Sequence, residues 1–171
     1  QNRMTLVRAY VDGTDPEQIS LNNSDAVKKL LLYGTLCSDG SVVFDGDEEK
    51  HIGDPTETAI VLAAHKNGII KEEINKTYPR LAEIPFDSDR KLMTTVHKCA
   101  EGGFIQHTTG APDVVVSRCT HILRDGKVIE LTDDIRAEIS AANKGLADKA
   151  LRVLAAAYRT YDSAPESYEE P

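Results

Sequence analysis

Tryptophan is absent from the 171 residues, and phenylalanine and methionine number only three and two. Six tyrosines complete a meagre aromatic set, which excludes a long platform for stacking successive bases and limits any stacking pocket to a small one. Cations are also short: 20 Lys+Arg face 28 Asp+Glu, a formal net charge of −8 that repels a phosphate backbone. No nucleic acid partner is expected. Cys37, Cys99 and Cys119 are an odd set with no CxxC spacing, as suits free thiols in a reducing, cytosolic compartment. His51, His65, His97, His107 and His121 form no HExxH string and no paired spacing with the cysteines, so no metal site is expected. The longest apolar runs, Ala59 to Ala64 and Val153 to Tyr158, are six residues each, against the roughly 20 needed to cross a bilayer. The opening Gln1-Asn2-Arg3-Met4-Thr5-Leu6 lacks the charged start and apolar centre of a secretory signal.

What is present describes one globular domain: 40% apolar and 28% charged residues over a length suited to a single core. Thr5–Val11 reads as an opening strand closed by Asp12-Gly13. Ser24 caps a helix running to about Cys37, with Ala26, Leu30, Leu31 and Tyr33 at near-helical spacing. The stretch 38–52, rich in Asp, Glu and Gly, reads as a loop. Asp54-Pro55-Thr56-Glu57 then opens a helix with a cap, a first-turn proline and an acidic first turn, and Asn67-Gly68 stops it. A short helix is expected over Lys71–Lys76. Leu81–Phe86, Leu92–Lys98 and Phe104–Thr108 read as antiparallel strands, and Asp125-Gly126 as a hairpin turn between Thr120–Leu123 and Val128–Leu131. Thr132 caps a helix to about Asp148, with Ile135, Ile139, Ala142 and Leu146 on one face. Arg152–Tyr158 fits a buried strand or the end of that helix equally well. The expected fold is α+β, a twisted and mainly antiparallel sheet flanked by helices.

Phosphate loops of the GxxxxGK[ST] type, GxGxxG turns and GxSxG elbows are all missing. Four other strings stand out: GDPTET at 53–58, PFDSDRK at 85–91, TGAPD at 109–113 and LRVLAAAYR at 151–159. Together, and in this order, they resemble the nucleotide-binding domain of P-type cation-transporting ATPases, in particular the calcium-pump-like branch. The resemblance covers essentially the whole chain. It implies a nucleotide-binding domain over 1–160 and, over 161–171, an acidic linker returning toward a phosphorylation domain. In that family the phosphorylated aspartate lies just ahead of words similar to Gln1-Asn2-Arg3-Met4-Thr5, so that aspartate is expected to lie outside this chain, which then contains no catalytic residue.

The same resemblance implies the site. Glu57 matches a carboxylate that accepts from the adenine amino group, chemistry that discriminates against bases lacking the donor. Phe86 matches an adenine-stacking ring, and Lys91 a cation at the pocket mouth, with Arg90, Asp89 and Ser88 beside it. Met93, two residues on and expected on the same strand face as Lys91, matches a residue packed near the base. Arg152 matches a phosphate-reaching arginine and Leu154 a pocket wall. Gly110 and Ala111 match small residues that let ligand approach the backbone. Plainer local roles also fit: Glu57 as a first-turn acid on its own helix, Phe86 as a core ring, 87–91 as a solvated hairpin, Arg152 as an ion-paired arginine.

The departure is Thr109, where the family has lysine before Gly-Ala-Pro. Losing a charge-assisted hydrogen bond to phosphate removes about 1.5–3 kcal/mol, so weak ATP binding is expected. ATP, with Mg²⁺ carried on it, is the implied ligand. Phosphorylation and actuator domains of the same parent are the implied partners, and the parent is implied to be an integral membrane pump with this domain cytosolic and itself monomeric. The alternative is a degenerate pocket serving as a regulatory or interaction module.

Overall fold

A computed structural model describes residues 4–162. The chain opens with a minimal ribbon, β1 (Arg8–Ala9) against antiparallel β2 (Glu17–Gln18). The strand expected over Thr5–Val11 shrinks to two residues because Ala9 alone of the four paired residues is buried, and a two-stranded ribbon with so little apolar cover does not extend. Ser24 caps α1 (Asp25–Leu36), its hydroxyl accepting from Val27 N at 3.3 Å.

The acidic stretch expected as a loop is a hairpin, β3 (Ser41–Asp45) paired with β4 (Glu48–Ile52). Its charge density is compatible with strands because only one face is covered: Val42 packs with Val61 and Leu62, and the Phe44 ring lies 4.4 Å from that of His65. Then α2 (Pro55–Lys66) starts as its sequence dictates, the Asp54 carboxylate accepting from Thr56 N at 2.7 Å. The two helices lie side by side and are pinned at one end, where Asn23 N donates to Asn67 Oδ1 at 2.7 Å. Val27, Leu31, Ala63 and Ala64 with Ala9 form their shared core. A short α3 (Lys71–Thr77) follows.

Three strands then run in sequence, β5 (Arg80–Asp87), β6 (Leu92–Lys98) and β7 (Phe104–Gly110). The TGAPD string closes β7 and continues into a helix that its Pro-Asp start encodes, α4 (Pro112–Ser117). Next, β8 (His121–Arg124) and β9 (Lys127–Glu130) pair around Asp125-Gly126 as expected, but as a separate ribbon and not as further strands of the main sheet. The amphipathic α5 (Asp133–Asp148) is tied to α4 by Arg136, which donates to the carbonyls of Val116 and Cys119 at 2.8 and 2.7 Å. Residues 151–154 are irregular, and β10 (Ala155–Tyr161) resolves the ambiguity at 152–158 in favour of a strand. Tyr161 still pairs with Phe104; residues 163–171 of the expected linker lie outside the described residues.

The main sheet has the order β10-β7-β6-β5, antiparallel throughout. Its two inner strands are covered on both faces. Register places Met93 opposite Thr109, Thr95 opposite His107 and His97 opposite Ile105, so these six share one face. Helix α1 covers it, with the Tyr33 ring 4.5 Å from His107 and 5.3 Å from Tyr158. The interior is unusually polar, and hydrogen bonds offset part of that: Thr94 and Thr108 hydroxyls lie 3.0 Å apart, and the His97 nitrogens lie 2.9 Å from Tyr78 O and from Thr95 Oγ1, whereas both His107 ring nitrogens are buried without a hydrogen-bond partner among the described residues. The expected α+β architecture is the observed one. No helix among the described residues is long and apolar enough to cross a membrane.

Candidate nucleotide-binding surface

One end of the main sheet collects most of the residues expected to meet nucleotide. Gly110 stands opposite Leu92 on one side and Ala155 on the other, so Lys91, Met93, Thr109, Gly110, Ala111 and Leu154 converge on this edge. Met93 is buried, Thr109 half-buried, and Leu154 exposed. Lys91 is exposed and has φ of +64° in the turn before β6, so strand alternation does not extend to it and the expected shared face with Met93 does not hold. Gly110 has a structural reason of its own: a Cβ there would sit 2.2 Å from Lys91 O and 2.8 Å from Leu92 Cδ2. Its smallness is required where β7 closes against the start of β6.

Phe86 is exposed, with 59% of its surface accessible, so the plainer reading of a core phenylalanine fails. It occupies an irregularity in β5 between the pairs Ile84–Thr94 and Asp87–Leu92. Arg90 fixes that irregularity, its Nη2 donating to the carbonyls of Ile84, Pro85 and Leu92 at 3.1, 3.1 and 2.7 Å. The Asp87 carboxylate tightens the turn by accepting from Asp89 N at 2.7 Å. A segment whose composition suits a solvated hairpin is therefore a braced platform for one aromatic ring.

Glu57 sits in the first turn of α2 and is half-buried. Its Oε2 accepts from the backbone N–H of Asp39 at 3.2 Å, a long-range bond beyond the helix-dipole role its position suggests. Burial, with the neighbouring Asp39 and Asp54 carboxylates, raises the Glu57 carboxyl above the usual carboxylate range, and the Asp39 N–H and the nearby Lys71 ammonium oppose that rise. The segment that supplies the N–H also reaches the sheet. Cys37, the C-cap of α1, donates from Sγ to Met93 O at 3.4 Å and His107 O at 3.6 Å, while Thr109 Oγ1 donates to Cys37 Sγ at 3.6 Å. Residues 37–39 thus connect Glu57 on α2 to Met93 and Thr109 on the sheet. Sequence reasoning missed Cys37 in this role, since it acts through contacts with residues distant in the chain.

Arg152 is exposed in the irregular 151–154 segment that leads into β10. This surface is open. A groove of about 480 Å³ lies elsewhere, lined by Thr5–Arg8, Gln18, Ile19, Lys66, Lys149 and Leu151.

The antiparallel sheet and its helices thus present a half-buried carboxylate on α2, an exposed ring on β5 and an exposed lysine in the turn before β6. Residues 26–171 match the family of the P-type ATPase cytoplasmic domain N, and the chain belongs to that family. It is 40% identical over 95% of its length to calcium-transporting ATPase 1 of Bacillus cereus, of which it spans 18%. It is 39% identical over 93% of its length to calcium-transporting ATPase 1 of Lactococcus lactis, again spanning 18%. The probable cation-transporting ATPase F of Mycobacterium tuberculosis is 32% identical over 92% of the chain, which covers 17% of that protein. The chain therefore spans less than a fifth of the length of these relatives.

Proposed function

We propose that this chain is the ATP-holding domain of a pump that moves a cation, calcium in the first instance, across a membrane at the expense of ATP. The relatives' names supply the transport reaction and the ion. The observation that carries the nucleotide reading is the coupling of Glu57, through Asp39 and Cys37, to Met93 and Thr109. One Glu57 oxygen is engaged by a backbone N–H, and the carboxylate retains a second oxygen for the amino group of adenine. Phe86 offers the stacking face, Leu154 an apolar wall, and Lys91 and Arg152 exposed positive charge for the phosphates.

The work of such a domain is positioning. Adenosine is held here while the triphosphate, with its Mg²⁺, projects toward an aspartate on the phosphorylation domain of the same parent chain, where the γ-phosphoryl is transferred. The actuator domain is the other intramolecular partner. By itself the chain is expected to bind ATP as a monomer and not to turn it over.

Titration of the ¹⁵N-labelled chain with ATP, GTP and Mg²⁺ alone tests this. Saturable shifts for ATP over GTP at Glu57, Phe86, Lys91 and Gly110 are the expected result. No shifts at millimolar ATP overturn it and favour the regulatory-module reading, and appreciable hydrolysis surviving Glu57→Ala overturns the division of labour.

A further inference from the structure

The carbonyls at the end of helix α1 and just beyond it are held by cations that arrive from two other elements. Lys71, on α3, donates from Nζ to Ser38 O at 3.1 Å and also to Gly40 O. Arg80, at the start of β5, donates from Nη2 to Leu36 O at 2.8 Å and Ser38 O at 3.0 Å, and its Nη1 lies 2.5 Å from Asp39 Oδ1. Three carbonyls and one carboxylate of a five-residue segment are thereby fixed by two side chains. Cations beside the unpaired carbonyls of a helix C-terminus are favourable in any helix. What distinguishes this pair is the segment they grip.

That segment carries the Asp39 N–H that holds Glu57, and it lies directly on the first turn of α2. A Cβ on Gly40 would come within 2.9 Å of Thr58 Cγ2 and 3.2 Å of Glu57 Cβ, so the backbone approaches as closely as a glycine permits. Any movement of residues 38–40 therefore moves the Glu57 carboxylate or breaks its hydrogen bond. Neither cation is at the sheet edge where Lys91 and Thr109 stand.

We propose that Lys71 and Arg80 are positioning residues that set the preference for adenine, by clamping residues 36–40 so that the Asp39 N–H fixes the Glu57 carboxylate. The inference rests on the reading of Glu57 as the acceptor for the adenine amino group. Burial and the Asp39 and Asp54 carboxylates act against ionisation of Glu57, and the Asp39 N–H and the Lys71 charge act for it.

The test compares ATP and GTP titrations of the wild-type chain, Lys71→Met, Lys71→Arg, Glu57→Gln and the double variant Lys71→Met/Glu57→Gln. Lys71→Met is expected to weaken ATP binding roughly 2- to 30-fold while leaving GTP binding nearly unchanged, and to shift the Asp39 amide resonance. Lys71→Arg restores the ATP preference, and in the Glu57→Gln background Lys71→Met has no further effect. Arg80→Lys, which keeps the charge but loses the fork, gives a smaller loss of the same kind and serves if Lys71→Met does not fold. Equal losses for ATP and GTP, or a loss that persists without the Glu57 carboxylate, overturn the proposal while leaving the nucleotide reading intact. A wild-type chain that binds no ATP overturns both.

Discussion

The Thr109 hydroxyl donates to Cys37 Sγ across 3.6 Å, and so lies between the helix that carries the 36–40 segment and the strand that ends in Gly110. The hydroxyl is committed to a thiol whose own pKa burial pushes up, so the partner is a neutral S–H. It faces inward on chemistry the family's lysine does not have.

Restoring that lysine is expected to strengthen nucleotide binding. Thr109→Lys should raise ATP affinity by roughly 10- to 150-fold, the equivalent of about 1.5–3 kcal/mol for one charge-assisted hydrogen bond to phosphate. Calorimetric titration with ATP and with adenosine separates the cases: the gain should appear for ATP and not for adenosine. An unchanged ATP affinity defeats the expectation.

Arg90 should matter through Phe86. Removing a guanidinium that serves three carbonyls of the β5–β6 hairpin is expected to cost roughly 1–3 kcal/mol and to weaken ATP binding along with it. Urea denaturation of Arg90→Ala gives the first quantity. Faster amide exchange across 84–92, with the rest of the sheet unaffected, gives the local signature; a uniform change across the domain contradicts it.

Two glycines should respond oppositely to the same methyl group. Gly110→Ala places a Cβ against Lys91 O and Leu92 Cδ2 and is expected to destabilise by about 1–3 kcal/mol or more. Gly145, inside α5 with open space around it, is expected to tolerate alanine with a gain of about 0.5–1 kcal/mol from helix propensity. Thermal and urea unfolding of the two variants decide the matter.

His107 predicts the acid side of the stability curve. Its ring is buried against Tyr33 and His97, and burial pushes its pKa down to about 3. Between that value and the ordinary histidine value near 6.5 the unfolded chain binds a proton that the folded chain does not. Stability is therefore full above about pH 6.5 and falls as the pH drops, by roughly 1.4 kcal/mol per unit from this residue. His97, lowered for the same reason, adds in the same direction. Unfolding curves between pH 7.5 and 5 should be flatter for His107→Phe than for the wild type, and parallel curves count against the assignment.

Much of the fold was legible because it is encoded locally. Ser24, Asp54-Pro55 and Thr132 each start a helix where their side chains can reach the first free N–H groups, and Asp125-Gly126 turns a hairpin as that pair favours. The hairpin at 41–52 was not legible, since its acidic composition argues for a loop and its strands exist only because Val42 and Phe44 find α2. The four strings singled out Phe86 and Glu57, but not that Phe86 is exposed or that Glu57 is half-buried and bound to the Asp39 N–H, since both depend on how distant segments pack.

By itself the sequence determined the helix caps, the antiparallel run from β5 to β7, the family and the kinds of side chain available to a nucleotide. Those properties depend on neighbours within a few positions or on the order of short words. Only the tertiary structure decided that Met93 faces Thr109, that Arg90 braces Phe86, and that Lys71 and Arg80 reach back 31 to 44 residues to grip the end of α1. The reason is physical: a carbonyl or ammonium has the same local signature wherever it points, and its partner is chosen by the packing of helices and sheet that brings distant segments within hydrogen-bond reach.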